Sequence, residues 1–502
     1  MNLNSETPLA AEAFIKTIPA LKPEISIDPR LKRKLITYLI VTVVTYFFFA
    51  FPYLGMGYFI IRPRAGVSVP IFMLIQAGLF YYLIEQKKPL LTFIPIFIIS
   101  LNPFISANPM WRGANFVVTA LLFGLMALWI ITGISIKDKS YTLISELAET
   151  IYNALSKFSI PFRWLGNVKK ESFPNMRRVL IGIAISIPSL IFLIIMLSQA
   201  DMIFSQAVGS FFERLFRLIE PSVIVRLIAA AFVSLYLFGI LFCILAVKKE
   251  QKERLETVHK TGDCLILNIV LTSVLLVYTA FIIIQIRYLF APPDNLPHGI
   301  TFEAYARRGF FELLFLTGVN IVFILITVAL TKTQSGRGAQ ITKYLCLYLC
   351  AVTVVLLISS FYRMWLHGSD DGLTRMRLLV FGFLFFEAIG LIATFFYILK
   401  PKFNIVSVYA LIALTYFLVL NLVPIDRVVA RDQVSRYFQT GKAGIDYVMT
   451  LSPDAAPEVA RLLHSESAHT RHRAGDFLLT IEEFETSWRQ WNLSIDRGRR
   501  LR

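Results

Sequence analysis

The chain has 502 residues, of which 56% are hydrophobic and only 17% charged, with a mean hydropathy of +0.65; soluble domains carry about 25% charged positions. That balance, with 43 Phe to bury, excludes an ordinary water-soluble fold. The net charge of +17 does not require a nucleic-acid partner, because residues 424–502 hold 12 basic and 11 acidic side chains and the excess lies in the apolar part, where membrane topology and anionic headgroups account for it.

Residues 1–34 are polar, with Glu6, Glu12, Pro19, Pro23 and Pro29, and lack the apolar core and small-residue cleavage site of a signal peptide. The first apolar run is therefore expected to be an uncleaved anchor. Roughly eleven runs of membrane-spanning length follow, near 35–59, 66–84, 90–106, 114–136, 178–200, 225–247, 265–290, 309–330, 341–363, 376–399 and 404–423. The fold class is all-α: a polytopic integral membrane protein with a bundle over 35–423 and a small helical tail over 424–502. Pro52, Pro95, Pro103 and Pro188 should kink their spans, since proline removes a backbone donor and clashes with the preceding turn.

Lys16, Lys22, Arg30, Lys32, Arg33 and Lys34 precede the first span, and alternate loops continue the excess, so the N-terminus is expected in the cytoplasm. An odd number of spans would place the tail outside, as expected of a multi-pass protein of a bacterial inner membrane. Two loop segments, near 141–158 and 203–219, have the amphipathic pattern of helices lying along a membrane surface.

In the tail, a helix is expected from Asp426 to Phe438, with a turn at Gly441 to Gly444. Ser452-Pro453-Asp454 then reads as a strong helix start, with serine at the N-cap and proline in the first position. Trp488 and Trp491, in an amphipathic piece near the end, could dock on the bundle or at the headgroups.

Chemistry is sparse along this chain. Glu387 lies in the middle of its apolar run, where an ionised side chain costs roughly 2.5–3.5 kcal/mol on insertion scales; it is a candidate proton or cation site, or a hydrogen-bonded packing residue. Arg307 and Arg308 are adjacent, and Glu303 with Arg307 and Arg308 with Glu312 are spaced to pair along a helix. With Arg375 and Arg377 they form a set of cations on one expected side, suited to an acidic lipid headgroup or another small anionic ligand. His367 with Asp370 or Asp371 has metal-ligand types but no recognised spacing, and a solvated loop is the simpler reading. Cys243, Cys264, Cys346 and Cys350 form no CxxC pair and read as apolar packing groups. No metal or other cofactor is implied, and membrane lipids are the expected partners.

There is no HExxH, no GxSxG elbow, no P-loop and no Rossmann glycine fingerprint. An enzyme is therefore disfavoured. A transporter or a lipid- or anion-handling protein is the leading expectation; a non-catalytic scaffold or sensor is the alternative, and a lipid-modifying enzyme the third.

Several motifs in the C-terminal half carry a resemblance. They are RYLF at 287–290, FEAYARRGFFELLF at 302–315, RMWL at 363–366, DGLTRMRLLVFGF at 371–383, NLVPIDRVVARDQVSRY at 421–437 and LSPDAAPEV at 451–459. The set resembles the bacterial integral-membrane family catalogued as domain of unknown function four-one-seven-three. The resemblance implies that the arginine-rich helix, the Gly-Leu-Thr-Arg loop and the segment after the last span belong together, meeting on one face of the bundle. It assigns no catalytic residue.

Overall fold

The computed structural model describes residues 28–50, 66–85, 87–132, 143–166, 221–246, 263–289, 310–331, 336–400, 403–441, 444–482 and 488–501, with single positions between 186 and 208. Every regular element among them is helical, and 8 helices are long and apolar enough to cross a membrane. The protein is an all-α polytopic membrane protein. The expected span near 178–200 and the amphipathic segment near 203–219 lie outside the described residues except at those single positions.

Helix α1 (Pro29–Thr45) begins ahead of the apolar run, because Asp28 accepts the backbone N–H of Arg30 at 3.0 Å and Pro29 opens the first turn. It passes into a π-helical turn over Tyr46–Ala50. Helix α2 is Ser68–Leu83. The next span is broken: α3 (Phe93–Ser100) stops, and the short α4 (Asn102–Ile105) restarts with Pro103 in its first turn. Of the kinks expected from proline in this span, the break falls at Leu101, just ahead of Pro103. Helices α5 (Arg112–Thr132), α6 (Leu143–Ser156) and α7 (Pro221–Ala246) complete a first bundle.

Its core holds Leu35, Phe72, Phe80, Ile96, Met126 and Phe238, all nearly inaccessible. Phe93 meets Phe80 and Phe123 at centroid distances of 5.6 and 5.5 Å, in edge-to-face arrangements that suit the ring quadrupoles. Lipid tails are as apolar as leucine, so close approach rather than exclusion of water binds such helices. The α6–α7 contact shows this: a Cβ added to Gly239 would stand 2.2 Å from the carbonyl oxygen of Ala154. The 141–158 amphipathic segment is thus packed on α7, with Ala154 fully buried there and Phe158 edge-on to Phe232.

A second bundle surrounds α10 (Arg337–Asp371), against which α8 (Cys264–Leu289), α9 (Phe310–Thr331) and α11 (Arg375–Leu399) pack. Cys346 and Cys350 are buried in its apolar core. Helix α12 (Ile405–Leu422) joins the two bundles, lying on α11 and also on α3 and α4. The tail adds a third core around α13 (Ile425–Thr440), where Val429, Val434, Val448, Val459 and Leu462 are completely buried. Helix α13 ends at Gly441, whose φ of +71° is a left-handed cap, at the place where the sequence expects a turn. The helix expected to start at Ser452-Pro453-Asp454 does start there, with Ser452 at the N-cap, and runs as three short helical pieces, Pro453–Ala455, Ala456–Val459 and Ala460–His464.

Candidate functional site

Helix α10 continues eight residues beyond its expected end at 363, so His367, Asp370 and Asp371 lie on its last turns rather than in a loop. It stops at Gly372, whose φ is +79° and where an added Cβ would lie 2.6 Å from the Gln433 amide nitrogen. Only glycine fits both demands. Thr374 then caps α11 by accepting the Arg377 N–H at 3.3 Å.

The tail grips this turn. Asp432 accepts the Leu373 N–H at 2.7 Å, and the Gln433 amide donates to the Leu373 carbonyl at 2.9 Å. Arg375 meets Asp426, the second residue of α13, with Nε donating to Oδ1 at 2.5 Å and Nη2 to Oδ2 at 2.7 Å. Asp426 also accepts the Asn108 amide at 3.1 Å and the Ser452 backbone N–H at 2.9 Å. One fully buried carboxylate thus joins the α4–α5 connection, the start of α11 and the tail. Burial would raise the Asp426 carboxyl, but the hydrogen bonds from Arg375 and Ser452 and the guanidinium charge outweigh it and hold it below its ordinary value.

Asp454 repeats the design nearby without a cation. Its oxygens accept the Ser106 hydroxyl and, at 2.7 Å, the Ala107 N–H. Here burial dominates: it pushes the Asp454 carboxyl above its ordinary value against those hydrogen bonds, helped by the charge on Asp426. Asn492 completes the joint, its amide donating to the carbonyls of Pro103 and Ser106 at 2.8 and 2.9 Å while its carbonyl caps α14 (Leu493–Arg499). Trp491 packs on Phe104 at 5.4 Å and Trp488 on Phe49 at 6.3 Å, so both tryptophans rest on the bundle.

Of the arginine set, Arg307 and Arg308 lie outside the described residues. Arg375 is engaged by Asp426, and Arg377, buried, donates from Nη1 to the Gly372 carbonyl at 2.5 Å. Glu387 sits apart, at the midpoint of α11 and about 18 Å of helix rise from either end. The Thr317 hydroxyl of α9 donates to its Oε1 at 2.6 Å, and its Oε2 has no hydrogen-bond partner among the described residues. Among the described residues no three His, Cys, Asp or Glu side chains converge as metal ligands.

Sequence reasoning missed Asp426, Asp454, Asn108 and Asn492 as a group, although the PID and SPD strings flagged the first two. It also missed an apolar cavity of about 290 Å³ in the first bundle, walled by Tyr46, Phe72, Ala120, Phe123, Val233 and Tyr236. The cavity is edged by Val117, Leu121 and Phe232, which are 55%, 39% and 50% exposed on the outer surface of the bundle. The Tyr236 hydroxyl is turned away to the Ala120 carbonyl at 2.8 Å, which leaves the lining almost wholly apolar.

No curated protein and no solved structure matches the chain. A family model does match, over residues 93–462. The motifs implied a family of unknown function, and the matching family carries a different number from four-one-seven-three. With nearly three-quarters of its length inside that match, the chain belongs to the family described as Domain of unknown function (DUF4153).

Proposed function

We propose that this membrane protein handles lipid, holding an acyl chain in the cavity of its first bundle. The observation that carries the reading is the cavity's chemistry and position. Its volume of about 290 Å³ is near the lower end of small-molecule sites, its walls are apolar, and its rim residues Val117, Leu121 and Phe232 face outward from the bundle, where a bilayer supplies acyl chains. In this reading the protein sits in a bacterial inner membrane with its N-terminus in the cytoplasm and the tail outside. Arg307 and Arg308 are the cations that would meet an acidic headgroup, whereas Arg375 and Arg377 are engaged within the protein.

The test is to purify the full chain from membranes and quantify co-purifying lipid by mass spectrometry, alongside Ala120→Phe and Val233→Phe, which would fill the cavity. Loss of bound lipid in both variants, with thermal stability kept, is expected. Unchanged lipid content in a folded variant would defeat the reading. Alanine at Arg307 and Arg308 should lower only the acidic lipid fraction, and reporter fusions after Gly338, Gly368 and Arg502 would fix the sides.

The second reading is a scaffold or sensor. It is favoured by the tail, which is keyed to the bundle through Asp426, Asp454 and Asn492 rather than tethered loosely. Partner capture by cross-linking, with lipid content indifferent to the cavity variants, would favour it.

A further inference from the structure

We propose that Glu387 is a proton-binding site in the core of the second bundle, holding an exchangeable proton on Oε2 while Thr317 donates to Oε1. The side chain is 8% exposed, Oε2 has no hydrogen-bond partner among the described residues, and Oε1 accepts the Thr317 hydroxyl at 2.6 Å. A bare carboxylate in such a place would leave its charge on a buried oxygen with no donor or cation among the described residues to stabilise it. Protonation removes the charge and leaves Oε1 as an acceptor for the Thr317 hydroxyl, which also lies 2.7 Å from the Leu314 carbonyl.

The surroundings supply no substitute for the proton. From α9 the facing group is Thr317; from α12 Tyr409 is close enough to interact electrostatically with Glu387, and Cys350 of α10 lies near Tyr409 in turn. The Tyr409 hydroxyl donates to the Gly390 carbonyl at 2.9 Å and lies 2.8 Å from the Thr394 hydroxyl. Helix α13 reaches α11 at the Arg375 end, where Asp426 takes the guanidinium. Among the described residues Glu387 forms no ion pair. A hard metal cation would need about six oxygens, and one carboxyl and one hydroxyl cannot supply them. The site therefore takes a proton.

One turn from Thr317 on α9, Asn320 accepts the Tyr278 hydroxyl at 2.8 Å and donates to Thr353 at 3.2 Å, so α8, α9 and α10 also share polar contacts in this core. The site lies in the second bundle, apart from the cavity in the first, so its fate does not depend on the lipid reading.

The experiment is infrared spectroscopy of the full-length protein in an ester-free detergent, in H₂O and D₂O, comparing wild type with Glu387→Gln. A protonated-carboxyl stretch that shifts on deuteration and is lost in Glu387→Gln is expected. Its amplitude should fall about tenfold per pH unit above its midpoint. Asp454, also buried, contributes a band that remains in that variant. A wild-type protein lacking any band removed by Glu387→Gln, or a band that never exchanges, would overturn the proposal. If Glu387→Gln does not fold, Thr317→Val reads the same group: losing the donor to Oε1 should move the band to higher frequency, and an unmoved spectrum overturns it.

Discussion

Arg375 and Asp426, 51 residues apart, face each other through two parallel hydrogen bonds of 2.5 and 2.7 Å, so the first residue of α11 and the second of α13 are bound as a fork on a carboxylate. The carboxylate is fully buried and the guanidinium about 30% exposed. Breaking such a pair leaves the buried charge uncompensated, so Arg375→Ala is expected to cost about 3 kcal/mol, the low end for a buried pair. Replacing both, as Arg375→Met with Asp426→Leu, should restore only part of that loss, because no charge is stranded but the Asn108 amide and the Ser452 N–H lose their acceptor. Thermal unfolding of Arg375→Ala, of this double variant and of its two single components in detergent measures it; an additive double variant would mean the two residues act separately.

The tail joint should be most stable at mildly acidic pH. Asp426 is held below its ordinary value, so its stabilisation is complete above the unfolded carboxylate range and is lost as pH falls through the lower folded value. Asp454 is raised, so its contribution is complete below that range and is lost as pH rises through the higher folded value. Proteolytic release of the tail should therefore increase on both sides. Asp454→Asn should abolish the alkaline rise and keep the acid one. An unchanged alkaline rise would show that another group is responsible.

Asn492 is 1% exposed, donates twice to the α4 segment and accepts two backbone N–H groups of α14. Truncation to alanine strands two buried carbonyls and a helix start, at roughly 1–3 kcal/mol for each stranded group. Asn492→Ala should expose the end of the tail to protease at concentrations that leave the wild type intact. Equal protection would mean the apolar contact of Trp491 with Phe104 suffices.

The α6–α7 contact predicts opposite outcomes for two glycines. Gly239→Ala puts a methyl 2.2 Å from the Ala154 carbonyl oxygen and requires the helices to part, at about 1–3 kcal/mol for overpacking. Gly78 in α2 has nothing within 4 Å of an added Cβ, so Gly78→Ala should be neutral or gain up to about 1 kcal/mol from helix propensity. Melting temperatures of the pair decide; equal effects would mean that the close approach is relieved by other shifts.

Composition and hydropathy alone determined that this is a helical membrane protein, because apolar runs of bilayer length have few other stable forms. Local sequence also marked the helix from Asp426, the Gly441 stop and the isolation of Glu387, since caps, left-handed glycines and a charge within an apolar run act over a few residues. Local signals failed where the answer lay between distant segments. Ser452-Pro453-Asp454 does open a helical turn with Ser452 at its N-cap, but nothing local showed that Asp454 turns to Ser106 and Ala107. Arg375 read as an open cation until Asp426 faced it. Only the tertiary structure decided those pairings, the Thr317 donor to Glu387 and the cavity beside Tyr236, because a hydropathy pattern records how deeply each residue is buried but not which helix it is buried against.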